Sequence, residues 1–388
     1  MTTAELLEYR KKIIDDAIRL KKPDRTPHFA NFWTWKILDS GYKLSEALHD
    51  WKKIEEATIN FAKKYPFDMV VDDGVRNPRL VISAIGEPAY EIDDEAEIMN
   101  IRDASYMDPE HYDLLIEDYA RLLWEVAVPR RAKGFNSEMT MEQLHEAFRQ
   151  FGLMGLTMQN IARRLAEECG VVQGLMSGGT LLLGFELLFN FLRGMQGVAF
   201  DLRRCPDKLK AACEAIERMM LEPQLAAIKN KTYRPGPNAA VHTCTALLGH
   251  TIVNQKQFEK YYWPTLKKTI DAVVEADMTL YVFSEGSTKR FWEYFKEIPA
   301  GHVAFHVEQD DIFEFKKALP NCCAVGGMPA SLLGNGTREQ CVSYAKHLID
   351  ELGGEGFILS QDKMISYRHD ANPENLKAVC EFVLEYRS

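Results

Sequence analysis

The sequence predicts an α/β fold in which short parallel strands alternate with crossover helices. Three apolar runs, at 278–283, 303–307 and 322–325, are each bounded by glycine or polar residues and separated by amphipathic stretches of helix length. Runs this short and this apolar are typical of strands that are covered on both faces of a sheet. The chain of 388 residues is long enough for one large domain of this class, including an α/β barrel.

The other elements are predicted by the same patterns. Residues 3–22 carry one apolar stripe and indicate an N-terminal amphipathic helix, and 28–35 is an aromatic-rich strand candidate. Further helices are predicted at 43–49, 52–64, 206–221, 257–274 and 373–386. Further strands are predicted at 67–71, 239–244 and 356–359. Residues 80–165 fit this alternation poorly, and we expect a hairpin near 80–92 followed by helices.

Composition excludes several classes of function. The net charge of -10 and the absence of a Lys/Arg block argue against a surface for nucleic acid or anionic membranes. The eight cysteines are scattered without a CxxC pair, which favours reduced thiols over a disulfide framework. The N-terminal residues lack the apolar core of a signal peptide, and the longest apolar stretch, 181–192, is too short and too polar to span a bilayer. We therefore expect a cytoplasmic protein.

Acidic and imidazole side chains lie where predicted strands end. Glu285 follows the first of the three apolar runs and stands between serine and glycine. His306 lies within the second run and Glu308 follows it, while Asp362 comes after the last predicted strand. Because active sites of α/β folds lie at the carboxyl ends of the strands, we expect these side chains to converge.

Two histidines are open to a structural interpretation as well. His306 lies inside an apolar run and suits a hydrogen-bonded core residue as much as a ligand or an acid. His242 and Cys244 are alternate residues of a predicted strand, so they share a face and resemble a ligand pair. A satisfied core histidine beside a buried cysteine explains the same pattern.

Several segments carry a family resemblance. The sequence motifs are FEKYYWP at 258–264, VGGMP at 325–329, GNGTRE at 334–339, GGEGFIL at 353–359 and NPENLKA at 372–378. With these motifs the chain resembles the uroporphyrinogen decarboxylase superfamily, which also contains corrinoid-dependent methyltransferases. The resemblance implies a (β/α)8 TIM barrel formed by one domain, 1–388, with an N-terminal helix at 1–22. It leaves 80–165 as an inserted helical and hairpin elaboration over the barrel mouth.

The first predicted strand separates the branches of that superfamily. Decarboxylases of this kind carry an arginine-rich segment there, which binds substrate carboxylates, whereas this chain has Asn31, Phe32, Trp33, Thr34 and Trp35. The zinc set of the coenzyme M methyltransferases falls on Phe283, Glu285 and Lys363 and is not preserved. The resemblance then favours an O-demethylase, a methyltransferase that passes a methyl group from an aryl methyl ether to the Co(I) corrinoid of a partner protein.

The candidate residues take roles from this hypothesis. Such an enzyme holds an aromatic ring and makes the phenolate a better leaving group, by proton donation or through a metal. The candidate catalytic residues are Glu285, His306, Asp362 and Lys363. The candidate substrate-binding residues are Asn31, Phe32, Trp33, Trp35, Phe283 and His242. A zinc ion would use Glu285, His306 and Glu308.

The expected partners are a corrinoid-binding protein and a small aromatic methyl donor. The chain lacks the Asp-x-His-x-x-Gly signature of corrinoid carriers, so any corrinoid is expected on the partner. A homodimer is left open. So are three other functions: a coenzyme M-type methyltransferase with an altered metal set, a uroporphyrinogen decarboxylase-like lyase, and a scaffold that binds a corrinoid or tetrapyrrole without catalysis.

Overall fold

The computed structural model describes residues 1–70, 84, 86, 90–101, 103–132, 139–174, 179–236 and 238–387. The strands within these ranges are β1 Phe29–Ala30, β2 Met69–Val70, β3 Tyr90–Asp93, β4 Ile98–Ile101, β5 Val172–Gln173, β6 Thr243–Leu247, β7 Leu280–Ser284, β8 Val303–Val307, β9 Cys323–Met328 and β10 Phe357–Gln361. The first sheet is parallel with the order β1-β2-β5, and the second is parallel with the order β10-β9-β8-β7-β6. Strands β3 and β4 form an antiparallel hairpin. The predicted α/β class with parallel strands is confirmed.

The two parallel sheets meet at both edges through single bridges. His28 pairs with Leu359 between β1 and β10, and Gln173 pairs with Ala239 ahead of β6. The Leu359 amide donates to the Pro27 carbonyl at 2.9 Å. Within the described ranges the eight parallel strands therefore form two sheets joined by isolated bridges and not one continuous closed ladder. Strands β1, β2 and β5 have only two residues each.

Helices surround the sheets. The α-helices of the described ranges are Thr3–Ile18, Trp35–Asp39, Leu44–Ala47, Trp51–Lys64, Tyr112–Glu117, Tyr119–Leu122, Val128–Arg131, Met141–Cys169, Gly184–Leu187, Gly194–Arg204, Pro206–Met220, Glu222–Lys229, Gln255–Tyr261, Trp263–Glu275, Trp292–Phe295, Ile312–Ala318, Ala330–Asn335, Arg338–Leu352 and Pro373–Glu385. Side chains cap the first turns of several helices. The Thr337 and Gln340 side chains form a capping box, and Asn372 caps the last helix ahead of Pro373. None of the helices in the described ranges combines the length and apolar character needed to cross a membrane.

Alternate strand residues enter two separate cores. Tyr281, Ala304 and Ile358 belong to a buried cluster between the strands, which also includes residues of β1, β2, β5, β6 and β9. Their neighbours, such as Val282 and Phe305, belong to the larger cluster between strands and helices. We call the first cluster the interior. Since side chains alternate along a strand, this assignment fixes which residues at the strand ends face inward.

A buried ion cluster holds the N-terminal helix against the amino ends of the strands. The Asp68 carboxylate accepts from Arg25 Nη1 at 2.6 Å and from Arg10 Nε at 3.1 Å. Arg10 Nη1 also donates to the carbonyls of Cys169 and Gly170 at 3.0 and 2.9 Å. These contacts join the first helix, the start of β2 and the end of the long helix Met141–Cys169.

Some predicted elements differ from the observed ones. The run 303–307 is β8 residue for residue. The predicted strand 28–35 is wrong beyond its first residues, because β1 ends at Ala30 and a helix begins at Trp35. The predicted helix 257–274 is two helices that meet at Tyr262, just before Pro264. The predicted strand 239–244 begins only at Thr243.

Residues 80–165 contain the β3–β4 hairpin and the start of a crossover helix. Met141–Cys169 packs against the helices Trp51–Lys64 and Thr3–Ile18 and leads directly into β5. This is the position of a helix that connects parallel strands. The placement of 80–165 over the barrel mouth stays a prediction. Parts of the segment, including 80–83 and 133–138, lie outside the described residues, as does residue 71 of the predicted strand 67–71.

Candidate functional site

Aromatic side chains line the interior near the carboxyl ends of β1 and β7. Phe283 follows Tyr281 on the inward face, and its ring stacks on the His306 imidazole with centroids 5.5 Å apart. Trp33 is half-buried and packs against the same interior cluster. Trp33 and Phe283 each therefore present an apolar ring surface to the interior, of the kind that contacts a flat ligand.

The acids after β8 hold the loop after β7. Glu308 accepts a hydrogen bond from the Gly286 amide, and Asp310 accepts from the Ser287 hydroxyl. Asp310 also accepts from the Thr288 amide at 2.7 Å and from its hydroxyl at 3.0 Å. Both carboxylate oxygens of Asp310 thus bind this loop, so Asp310 has a structural role at the carboxyl ends of the strands.

Asp362 continues the inward face of β10. Its Oδ1 accepts from the Ala330 amide at 3.0 Å, and its own amide donates to the Met328 carbonyl at 2.9 Å. The neighbouring Lys363 turns away and donates to Asp370 Oδ1 at 2.8 Å. The other carboxyl oxygen of Asp362 takes no part in the hydrogen bond to the Ala330 amide.

Glu308 and Asp362, which we call the acid pair, both have raised pKa values. Burial raises the pKa of Glu308, the Gly286 amide opposes this, and the Asp362 charge raises the pKa further. Burial also raises the pKa of Asp362, against the lowering effects of the Ala330 amide and Lys363. A cavity of about 160 Å³ lies beside both carboxyls and is lined by Phe313, Pro329 and other residues. A carboxyl that keeps its proton to higher pH and reaches solvent is suited to general acid catalysis.

His306 makes a hydrogen bond within the protein at each of its ring nitrogens. Its Nε2 lies 3.0 Å from the Asp362 carbonyl oxygen, which only accepts, so Nε2 carries the proton. Its Nδ1 lies 3.1 Å from the Tyr281 hydroxyl and accepts from it. Burial lowers the pKa of His306 to about 4, so the ring is neutral near pH 7. The candidate roles of acid and metal ligand are therefore not supported by its geometry.

The three-ligand zinc set does not assemble. In the part of the chain that the structure describes, no three His, Cys, Asp or Glu side chains are placed to hold a metal ion. Both ring nitrogens of His306 are used within the protein, and Glu308 binds the Gly286 amide. These residues do not fit a zinc ion. Glu285 is half-buried at the end of β7, where its amide donates to the Leu247 carbonyl at 3.2 Å, and its catalytic role stays a prediction.

Two aromatic candidates lie outside the interior. Phe32 and Trp35 are buried between β1 and the surrounding helices, where both pack against Phe61. The centroids of Phe32 and Trp35 are 5.1 Å apart, and neither ring has a face left for a ligand. Both rings lie away from the interior, because inward and outward positions alternate and Trp35 already belongs to a helix. This placement gives no support to the prediction that they sandwich a substrate.

His242 lies at the opposite edge. It precedes β6, and its Nδ1 is 2.8 Å from the Thr279 hydroxyl, ahead of β7. The sequence pattern placed it at a carboxyl end because the strand was expected to finish at Cys244, whereas the strand begins at Thr243. His242 is therefore separated from the acid pair by the length of a strand.

Sequence reasoning missed Ser360 and Gln361. The Asn31 amide donates to Gln361 Oε1 at 2.9 Å, and Asn31 Oδ1 accepts from Trp33 Nε1 at 3.0 Å. Ser360 lies two residues after the inward Ile358 and is fully buried. Ser360 follows an apolar run, and a polar residue at such a place usually indicates a loop. Its position in the interior could be inferred only from its spacing of two residues from the inward Ile358.

Glu186 was also missed, because it interrupts an apolar stretch as a single acid. It is fully buried and accepts from the Tyr262 hydroxyl at 2.7 Å and from the amides of Leu248 and Gly249 at 2.9 and 3.1 Å. Burial raises the pKa of Glu186 to about 7, although these donors oppose the rise. It fixes the loop after β6 to the helix Gly184–Leu187.

Comparisons with known proteins give two findings. The family description of uroporphyrinogen decarboxylase (URO-D) matches residues 192–386. A solved structure described as a methyltransferase from Methanosarcina mazei is similar in fold, with a TM-score of 0.60 over 99% of both chains and 13% sequence identity. Among curated proteins, none matches the sequence. At this identity the structural likeness concerns the fold alone.

Proposed function

The chain belongs to the uroporphyrinogen decarboxylase family, and we propose that it is a methyltransferase that takes the methyl group of an aryl methyl ether. We propose further that its eight parallel strands are those of a (β/α)8 barrel and that the acceptor is the Co(I) corrinoid of a partner protein. The observation that carries this proposal is the Glu308–Asp362 acid pair beside an interior walled by Trp33 and Phe283.

The aromatic wall supports an aromatic substrate. Trp33 and Phe283 face the interior with part of their surface left accessible, unlike the fully buried rings on the outer side of β1. A ring placed between them would gain apolar contact and edge or stacking interactions. The methoxyl group would then lie toward the carboxyl edge, where the acid pair is.

The acid pair supports cleavage of a carbon–oxygen bond. The partner's Co(I) corrinoid supplies the nucleophile toward the methyl carbon. As the bond between methyl carbon and ether oxygen breaks, its electron pair stays on the oxygen, and a carboxyl of Glu308 or Asp362 donates the proton that makes this oxygen a phenol. The carboxylate regains a proton from solvent through the adjoining cavity. No step is assigned to zinc, because the residues present do not fit it.

The same acids argue against the decarboxylase activity. A polycarboxylate substrate would meet Glu308 and Asp362 at the edge, and a carboxyl group, protonated or ionised, offers no positive charge to balance its carboxylates. The segment 28–35 supplies no arginine to do so either. An uncharged aromatic ether avoids this electrostatic cost.

The test is a methyl-transfer assay with a set of methoxylated aromatics and a reduced corrinoid protein. We expect a methylated corrinoid, followed by its absorbance, together with an equal amount of the phenol product. An enzyme that releases no phenol from any methoxyarene, yet releases CO₂ from a uroporphyrinogen, would overturn the proposal. Omitting the corrinoid protein is the control and should abolish phenol release.

A further inference from the structure

Three buried side chains at the junction of β1 and β10 each carry one polar atom that is unpaired within the described residues. Asn31 Nδ2, Ser360 Oγ and Gln361 Nε2 make no hydrogen bond within the described chain, and each residue is at most 1% exposed. Buried polar groups in folded proteins are almost always paired. Unpaired groups on facing strand ends therefore indicate a ligand where they face the interior.

The orientation of two of these groups is fixed by their neighbours. The Trp33 indole only donates, so the atom of the Asn31 side chain that faces it is the oxygen, and the amide nitrogen points elsewhere. The Asn31 backbone amide likewise fixes the oxygen of Gln361. Both side chains thus present N–H donors that the protein leaves unused.

Two of the three groups face the interior. Asn31 lies two residues after the inward Phe29, and Ser360 lies two residues after the inward Ile358. Residues two apart share a face, so Asn31 and Ser360 are also inward. The Trp33 indole, which bonds to Asn31, packs on the same interior cluster. The unpaired groups of Asn31 and Ser360 therefore lie on the inner wall, below the edge that carries the acid pair. Gln361 has the outward register of Leu359 and holds the Asn31 backbone amide.

The chemistry of the set defines its ligand. Amide and hydroxyl groups donate hydrogen bonds without charge, and none of the three offers a cation to balance a carboxylate. A neutral oxygen acceptor, such as a ketone, amide or phenol oxygen, completes them without burying a net charge. Carboxylates and phosphates are excluded as preferred ligands on the same ground.

We propose that Asn31 and Ser360 bind a second, neutral oxygen of the aromatic methyl donor, on the side of the ring opposite the methoxyl group. This inference rests on the proposed function. Ser360 and Asp362 are two residues apart on one face, about 7 Å along the strand direction. An aromatic ring with oxygen substituents at opposite ends spans this separation. The substrate class is then a para-substituted methoxyarene with an uncharged oxygen acceptor.

The test compares two ligands of similar shape in titration calorimetry with the protein alone. 4-Methoxyacetophenone carries the second oxygen, and 4-isopropylanisole replaces the acetyl group by an alkyl group. We expect the ketone to bind about tenfold more tightly, the value of one well-formed hydrogen bond. Ser360→Ala should bring the ketone's affinity close to that of the alkyl ether and leave the alkyl ether's affinity unchanged.

A second variant and a matched control separate binding from folding. Asn31→Ala should lower the preference for the ketone in the same way. Ser284→Ala removes an equally buried hydroxyl that is paired with the His306 carbonyl at 2.6 Å on the outer side of β7, and it should keep the wild-type preference. Ser284→Ala should lower the melting temperature, whereas Ser360→Ala should not, because its hydroxyl has no partner to lose.

Three results would overturn this inference: equal affinities of the two ligands for the wild type, a Ser360→Ala variant that keeps the full preference, or no binding of either ligand. Binding is measured without a corrinoid protein. A preference for the ketone without methyl transfer would therefore reject the proposed function alone.

Discussion

At the scale of single residues, the proposed proton donation can be tested at Glu308. If its carboxyl protonates the leaving oxygen, Glu308→Gln should lower turnover by about 10²–10⁴-fold, the usual contribution of general acid catalysis. Because burial raises the pKa of Glu308, wild-type activity should fall as pH rises through that raised pKa. The variant should lose this alkaline limb, measured as the pH profile of phenol release.

Variants of Asp362 and of the exposed Glu314 provide the comparisons for that prediction. The two carboxyls interact, so they titrate as a pair, and Asp362→Asn should shift the alkaline limb as well. Glu314→Gln, at an exposed acid paired with Lys289, should leave both rate and profile unchanged. Wild-type turnover by Glu308→Gln would remove Glu308 from the catalytic role.

Residue positions were predictable from sequence where strand register decides them. Glu308 and Asp362 follow inward-facing residues of β8 and β10, so their place at the edge follows from alternation along an apolar run. The hydrogen bonds of His306 were not predictable. Its partners Tyr281 and Asp362 are 25 and 56 residues away in sequence, and no local pattern shows that both ring nitrogens are occupied.

At the scale of elements, β9 depends on one unusual backbone conformation. Gly326 has a φ of 137°, and a Cβ there would lie 2.8 Å from the Val307 carbonyl oxygen of β8. Gly326→Ala combines a strained conformation with a clash against backbone, so we expect a loss of about 2–3 kcal/mol in the free energy of unfolding. Urea denaturation measures this loss.

Gly354→Ala is the matched control for that measurement. An added Cβ at Gly354 meets nothing within 4 Å, and the residue follows the helix Arg338–Leu352 on the surface. Its free energy of unfolding should change by less than about 0.5 kcal/mol. Equal unfolding midpoints for Gly326→Ala and wild type would contradict the role given to this glycine.

Elements were predictable where burial is continuous. All five residues of β8 are buried, so the apolar run in the sequence equals the strand. Strand β1 has only two residues, and the aromatic residues after it pack outward or begin a helix, so composition extended the predicted strand too far. The helix Met141–Cys169 contains Gly152 and Gly155, which weaken the helical signal and hid its role as a crossover.

At the scale of the whole molecule, buried titratable groups set how stability depends on pH. Burial raises the pKa of Glu186 to about 7, so its contribution is present at low pH and is lost as pH rises through 7. Burial lowers the pKa values of His28 to about 3 and of His250 and His306 to about 4. Their contribution is present above the unfolded value of 6.5 and is lost as pH falls. We therefore expect the three histidines to destabilise the fold in acid, opposed by Glu186 and by Glu308 and Asp362, whose pKa values are also raised.

His28 provides the clearest test of that balance. Both ring nitrogens lack partners within the described chain, and the ring packs 4.2 Å from the Phe67 ring beside the Asp68 ion cluster. Folding must keep this imidazole neutral, and at pH 5 that requirement costs about 2 kcal/mol relative to pH 7.5, since the unfolded state binds the proton. His28→Phe should therefore lose about 2 kcal/mol less than wild type when denatured at pH 5 instead of 7.5. The exposed His145→Gln should lose as much as wild type, and an unchanged pH dependence in His28→Phe would show that His28 is not held neutral by the fold.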